Sequence, residues 1–376
     1  MPVQKRPRPV TGRSRPDPYD LDALARAERA QLLVEGIWVD TERQRTILNG
    51  IRKYMRVCKA MRTRRGTPIS GRRLSQTSQA GKSAIAERLI RELELESIAA
   101  GEVPNPCRVI HVTIDQRMTL KMLYQEILNR LADDFVDEPH GDGIRNASKR
   151  AAEIKGNRGD NIKILEQRVE EWVERLGVEL IVVDEIQRLV TNAGIVHRNS
   201  NDIRTFLTAD AMDVTKKLQA FLDRGVVPLF FIGDETSKEF FEINQQFAAR
   251  LNTPLELRPL NVNKTPDRKR FFDFCVDFDR QIVAQKITAL STCLAETAVL
   301  TALIAASGGH IGRAARIIQV ALPAALERGA VTMEPFDLSN AVRGFAIGLR
   351  WIDYDPFSLH PDPVDETKDA ETADVG

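Results

Sequence analysis

Residues 179–185 read ELIVVDE, an apolar run that ends in two adjacent carboxylates. Leu180, Ile181, Val182 and Val183 suit a strand buried on both faces, as the strands of a parallel sheet are. An acidic pair at the exit of such a strand is either a solvated turn or part of a nucleotide site. In P-loop ATPases the strand beside the phosphate loop delivers an Asp to the magnesium shell, here Asp184. The following Glu185 is then placed to polarise the attacking water.

That second reading needs a phosphate-binding loop upstream. Residues 74–91 read LSQTSQAGKSAIAERLIR, and Gly81, Lys82 and Ser83 complete the end of the pattern G-x-x-x-x-G-K-[ST]. Gln76 stands where the first glycine is expected. The chemistry calls for backbone N–H groups around the phosphates, a lysine on the β/γ oxygens and a hydroxyl on magnesium. Residues Ser78, Gln79, Ala80, Gly81, Lys82, Ser83 and Ala84 are the candidate phosphate cradle, and Ser83 with Asp184 the candidate metal pair. Each motif is weak alone. In this order, with a strand and helices between them, they imply an ATPase that uses ATP and Mg2+.

Further apolar runs surround the pair: RVIHVTID (108–115), VPLFFIGD (227–234) and PLELRPL (254–260). Helical stretches separate them, so the expected pattern is βαβα with a mostly parallel sheet. The segment before the loop, PISGRRLSQ, is the weakest strand, with Arg72 and Arg73 where a central parallel strand should be apolar. Asp234, at the exit of VPLFFIGD, is placed to lie beside a γ-phosphate or to make an ordinary turn. Arg250 in QQFAARL precedes the last strand, where it can reach a neighbour's nucleotide or form a surface ion pair. After Pro259 the pattern is helical over 266–288, 294–307, 312–328 and 335–347, a small all-α domain. There SGGHIGRAARII sets Arg313 at the start of a helix.

Composition narrows the class. The chain has 376 residues, 43% hydrophobic and 28% charged, as ordinary globular proteins do. Its net charge of +1 conceals an asymmetry. Between Arg43 and Arg73 there are eleven Lys/Arg and no Asp/Glu, while Asp353 to Asp374 holds eight acids and one lysine. The basic stretch follows a helical pattern, with Ile47, Leu48, Ile51, Tyr54, Met55 and Cys58 on one face and Arg45, Arg52, Lys53, Arg56, Lys59 and Arg62 on the other. That face is either solvated or a DNA or partner surface. The four cysteines form no CxxC pair, so neither a disulfide framework nor a zinc site is expected. No secretory signal or membrane span is read, and a bacterial cytoplasm is the expected setting. The five His residues are scattered, without metal-ligand or nucleophile spacing.

Gly81-Lys82-Ser83, Asp184-Glu185, Asp234, Arg250 and Arg313 occur in the order of Walker A, Walker B, sensor 1, arginine finger and sensor 2. The chain thus resembles an AAA+ ATPase. Within that class GIWVDTERQRTILNGI, the ISGRRLSQTSQAGKS loop and the GGHIGRAARII box are similar to the TniB/TnsC family of transposition ATPases, relatives of MuB. The likeness covers roughly residues 36–345. It implies an α/β fold: a P-loop AAA+ three-layer parallel sheet followed by a small all-α lid. The expected divisions are a disordered basic tail (1–20), a helical region (21–66), the ATPase core (67–262), the lid (263–350) and a disordered acidic tail (351–376). Glu185, Asp234, Arg250 and Arg313 are the implied catalytic set. The implied partners are double-stranded DNA, a DDE transposase, further copies of the chain in a ring or helical filament, and a target-selector protein. Arg117 and Lys121, just after the second strand, are candidate DNA contacts. Three alternatives stay open: a helicase-loader-like ATPase, a nucleotide-gated signalling or defence switch, and a P-loop phosphotransferase.

Overall fold

A computed structural model of the chain describes residues 21–62, 67–76, 81–114, 118–136, 144–157, 159–190, 214–242 and 244–358. The expected disordered stretches at 1–20 and beyond 358, and the candidates Ser78, Gln79, Ala80 and Arg117, lie outside these residues.

The apolar runs form a four-stranded sheet of β1 (Arg72–Ser75), β2 (Val109–Thr113), β3 (Leu180–Asp184) and β4 (Leu229–Gly233), in the order β1-β4-β3-β2. Every pairing is parallel. β3 and β4 are buried at all positions, which is why their sequences show no polar alternation. Because the strands are parallel, β1, β4 and β3 all end at one edge of the sheet. Ligands of open parallel sheets bind at that kind of edge.

The expected strand at 254–260 is reduced to two isolated bridges, Gly71 to Leu251 and Leu74 to Leu255. Three hydrogen bonds hold them: Gly71 N–H to Arg250 O at 2.9 Å, Asn252 N–H to Gly71 O at 2.8 Å and Leu255 N–H to Arg73 O at 2.9 Å. Pro254 and Pro259 donate no N–H, and Glu256 and Arg258 point to solvent, so the ladder cannot extend.

The chain divides into two compact units, 42–258 and the remainder. The first carries the sheet with α2 (Glu42–Arg62), α3 (Lys82–Ala99), α4 (Leu120–Val136), α5 (Ile144–Lys155), α6 (Ile162–Arg175), α7 (214–223), α8 (Ser237–Glu242) and α9 (Gln245–Ala249). The second holds α1 (Leu21–Glu35), α10 (Thr265–Ala284), α11 (Thr297–Ser307), α12 (Ile311–Glu327) and α13 (Pro335–Ala341). The region read as one helical segment, 21–66, is therefore shared between the units. Ala27 and Ala30 of α1 pack on Leu326 of α12, and Val34, Ile37 and Val39 enter the core of the second unit. That core is built on Phe271, Phe274 and Phe278, whose ring centroids lie 6.1 and 5.8 Å apart in succession.

The tail boundary also moves. Residues 351–358 are folded, because Trp351, Ile352 and Phe357 pack against the helical core. Asp355, 7% exposed, accepts from Ser339 Oγ at 2.6 Å and Arg343 Nε at 2.7 Å. An acidic, proline-containing segment is ordered here by one buried carboxylate and three apolar anchors.

The single-signed face of α2 is matched by acids of its own unit. Arg45 and Arg52 pair with Glu92 at 3.1 and 2.9 Å, Arg52 with Glu96 at 2.5 Å, and Lys59 with Glu179 at 2.6 Å. Arg62 donates to Val178 O at 2.8 Å. Half of the face expected to meet solvent or DNA, Arg45, Arg52 and Arg62, is thus an internal seam, and Lys53, Arg56 and Lys59 are its exposed members.

Candidate nucleotide site

Gly81 is the hinge between the loop and α3. Its φ of 86° is left-handed, a conformation that costs glycine little. It is the N-cap of α3, and no side chain caps that end. The helix dipole favours negative charge at that end. At the front of the loop Gln76 N–H donates to Gly233 O at 3.2 Å. Glu185, Lys286 and Arg350 are the non-glycine residues at positive φ among those described, and Gln76 is not one of them. The position where glycine was expected does not use the positive φ that glycine tolerates best.

Lys82 is 6% exposed, and its Nζ donates to Gln76 O at 2.8 Å. Burial pushes its ammonium pKa down, while Glu185, Asp184, Asp234 and Glu235 push it back up; the net shift is downward. Those four acids place the carboxyl ends of β3 and β4 around the lysine. A triphosphate would replace a backbone carbonyl as the lysine's partner and bring the opposite charge.

Ser83 Oγ donates to Asp184 Oδ2 at 2.5 Å, and His111 Nε2 of β2 lies 3.4 Å from the same oxygen. Asp184 is 2% exposed. Burial pushes its carboxyl up, but hydrogen bonds from His111 and Ser83 and the Glu185 N–H outweigh it, so the net shift is down and the carboxylate stays charged. A hydroxyl and a carboxylate converging this closely suit a hard divalent cation. Magnesium takes one or two such protein ligands and completes its octahedron with phosphates and water. Among the described residues no group of three His, Cys, Asp or Glu could hold a metal unaided.

Glu185 leaves β3 with a φ of 58°. Its Oε2 accepts from Gln187 Nε2 at 2.8 Å and lies 3.2 Å from Arg188 Nη2. Asp234 follows β4 directly, and its Oδ1 accepts from Thr236 N–H at 2.9 Å and from Thr236 Oγ1 at 2.5 Å. Ala84 lies half-buried in the first turn of α3.

Of the remaining candidates, Arg250 and Lys121 belong to the unit that carries the sheet and Arg313 to the helical unit. Arg250 caps α9, and its Nε lies 2.7 Å from Asp223 Oδ1, with 43% and 33% of the two side chains exposed. Arg313, in the first turn of α12, lies over the Trp351 ring, its Cζ 5.1 Å from the centroid. Lys121 is half-buried near the start of α4. Sequence reasoning missed His111, Gln187 and Trp351. Their partners are distant in sequence or reached only through a turn, and only the VVDEIQ spacing hinted at Gln187.

Residues 77–239 match the family model of an AAA domain. The parallel sheet with its helices has the AAA+ fold. No curated protein matches the sequence. Among solved structures, an Aeropyrum pernix ORC2 in ADPNP-ADP complexes is similar at 12% identity, over 83% of this chain and 70% of that one, with a TM-score of 0.47. Cdc6p from Pyrobaculum aerophilum is similar at 12% identity over 84% and 70%, with a TM-score of 0.49. A Drosophila ORC bound to DNA is similar at 13% identity over 91% and 70%, with a TM-score of 0.40. Overlays at these scores carry no functional argument.

Proposed function

We propose that this chain is a magnesium-dependent ATPase. The reading rests on one observation: the Ser83 hydroxyl and the Asp184 carboxylate meet at 2.5 Å beside a buried Lys82 that faces Glu185 and Asp234. Lys82 would bind the β/γ-phosphates, and the N-terminus of α3 would hold their remaining charge. Magnesium, held by Ser83 and Asp184, would neutralise charge on the transferred phosphoryl group. Glu185 would orient the attacking water and accept its proton, and Asp234 would contact the γ-phosphate.

Arg250 is assigned to a neighbouring copy's nucleotide in an oligomer, and Arg313 to its own. Arg250 is 43% exposed and would have to leave Asp223, whose Oδ1 is buried, to reach a neighbour.

The test is hydrolysis of ATP with separate measurement of nucleotide binding. Lys82→Ala loses binding, whereas Glu185→Gln binds ATP and turns over slowly. Hydrolysis by Glu185→Gln at the wild-type rate would remove Glu185 from the chemistry. Mixing Arg250→Ala with Lys82→Ala subunits restores activity if the site is shared, and no recovery at any ratio refutes the assignment in trans. A P-loop phosphotransferase is the second reading; release of phosphate without a phosphorylated acceptor excludes it.

The finer reading is a DNA-bound oligomer, ring or filament, that recruits a DDE transposase in a bacterial cytoplasm, with a target selector as a further partner. It is supported by the resemblance of the upstream segment, the loop and the GGHIGRAARII box to TniB/TnsC proteins. Arg117, Lys121, Lys53 and Arg56 are the candidate phosphate contacts. Such contacts release counterions, so duplex affinity falls steeply with salt. An affinity flat in salt, or assembly indifferent to ATP and transposase, would sink this part alone.

A further inference from the structure

Gln187 has no role in the reading above, yet its side chain ties two members of the site together. It lies half-buried in the 3-10 turn Ile186–Val190 that follows Glu185. Its Nε2 donates to Glu185 Oε2 at 2.8 Å, and its Oε1 accepts from the Asp234 N–H at 3.2 Å. The partners leave the amide one orientation. A carboxylate can only accept and a backbone N–H can only donate, so the NH2 faces Glu185 and the oxygen faces Asp234.

Because the carboxamide is planar and rigid, its two bonds are not independent. A movement of the Asp234 end of β4 would turn the amide and with it the donor that Glu185 accepts from. Two backbone features serve this contact. Glu185 adopts a left-handed φ of 58°, which costs a non-glycine residue about 1–2 kcal/mol. Its N–H donates to Asp184 Oδ1 at 2.8 Å, so the turn that brings Gln187 back over the strand ends is anchored on the metal-side carboxylate. Across the sheet, a Cβ on Gly233 would stand 2.8 Å from Gln187 Oε1 and 2.6 Å from the Ser237 Cβ. The approach of Gln187 to β4 therefore requires a glycine there. Arg188 reaches the same Glu185 oxygen at 3.2 Å but is 42% exposed, where water screens it.

We infer that Gln187 is a positioning residue for hydrolysis: its carboxamide fixes the Glu185 carboxylate and couples it to the Asp234 end of β4. This rests on the reading of Glu185 as the group that orients water. A γ-phosphate that engages Asp234 then resets the aim of Glu185 through the amide. An empty site and an occupied one present the carboxylate differently. Misplacing a catalytic group by about 1 Å costs on the order of a hundredfold, so loss of the bridge is read in turnover.

The decisive variant is Gln187→Met, which keeps the length and packing of the side chain and removes both hydrogen bonds. The expected result is a kcat about ten- to a hundredfold lower, with KM, affinity for a non-hydrolysable ATP analogue and melting temperature unchanged. In the Glu185→Gln background the same change adds no further loss, because both act through one group. Full kcat in Gln187→Met, while Glu185→Gln is inactive, overturns the positioning role and leaves the ATPase reading standing. A multiplicative loss in the double variant overturns it too, since Gln187 would then act by another route. Absence of ATP turnover in the wild-type chain overturns the ATPase reading and this role with it. If Gln187→Met melts early, Gln187→Glu decides between the two. It keeps an acceptor for the Asp234 N–H and sets a like charge against Glu185, so kcat falls with nucleotide affinity retained; an unchanged kcat refutes the bridge.

Discussion

β3 and β1 lie on either side of β4, yet they are built in opposite ways. β3 is Leu-Ile-Val-Val-Asp, buried throughout, with its chemistry confined to the exit residue Asp184. β1 is Arg-Arg-Leu-Ser, with two half-buried arginines ahead of the buried Leu74 and Ser75. Both strands end at the same edge of the sheet, β3 in Asp184 and β1 in the segment that leads to Lys82 and Ser83. The difference teaches that a strand at the end of the sheet, flanked on its outer side only by the bridges to Leu251 and Leu255, needs filled volume more than it needs apolar residues. Arginine stems fill space as methylenes do, provided the guanidinium finds something to lie on. For Arg73 that is the Phe241 ring, 5.2 Å from its Cζ.

The apolar strand should be the fragile one. Ile181 is fully buried and pairs with Ile110 on one side and Leu229 on the other. Ile181→Ala removes three carbons from the middle of the sheet and leaves a cavity that flanking strands cannot close. A loss of about 2–5 kcal/mol is expected in denaturant unfolding, with the slope unchanged. A loss below about 1 kcal/mol would mean that β3 repacks freely, and the contrast with β1 would vanish.

Glu92 sharpens the comparison with a charge that is matched. It is 9% exposed on α3, and Arg45, Arg52 and Arg88 all reach its carboxylate. Burial pushes its pKa up, the three arginines pull it down, and the net shift is down. The folded state therefore holds the proton more weakly than the unfolded chain. The stabilisation is present above the unfolded carboxyl pKa and fades as pH falls through the folded one. Glu92→Gln should cost about 1–3 kcal/mol at neutral pH, since it leaves three cations facing one another. The cost should shrink in acid. A penalty constant from neutral pH into acid would show that shape, not charge, is what Glu92 contributes.

Tyr54 tests the border between the two strands. Its hydroxyl is buried and reaches Ser70 O at 2.5 Å and Leu229 O at 3.2 Å, at the entries of β1 and β4. Burial pushes the phenol pKa well up, so the neutral O–H donor persists. Tyr54→Phe keeps the ring and deletes the donor. The expected loss is about 0.5–1.5 kcal/mol by thermal unfolding.

How much of this was legible follows the same physics. β2, β3 and β4 were readable because burial on both faces writes a continuous apolar run. β1 was nearly unreadable, because what compensates its arginines is an aromatic ring on α8 far along the chain. Residues 254–260 were read too generously: apolar content suggested a strand, but Pro254 and Pro259 limit the ladder to bridges. Lys82 with Ser83, and Asp184 with Glu185, are each read from a local motif, and the structure brings the two motifs together across about 100 residues. The neutralisation of α2 was not legible, since its acids sit on α3 and ahead of β3. Asp355 looked like tail acid and is buried against Ser339 and Arg343.

The smallest effect is expected where the sequence looked most anomalous. Arg73 has its Nε and Nη1 buried without a hydrogen-bond partner. An unsatisfied buried donor costs about 1–3 kcal/mol, and a guanidinium over an aromatic ring returns about 0.5–2 kcal/mol. Two such donors outweigh what the ring returns, so the charge itself does not stabilise β1 and the stem does the packing. Arg73→Met keeps an unbranched stem and puts a polarisable sulfur near Phe241, a favourable contact in its own right. Its unfolding free energy should lie within about 1 kcal/mol of wild type, on the stabilised side, while Arg73→Ala should lose more through the vacated volume. The pair of variants separates stem from charge. If Arg73→Met were destabilised as much as Arg73→Ala, the guanidinium would be the element that β1 depends on. The likeness of the two strands as packed volume would then be wrong.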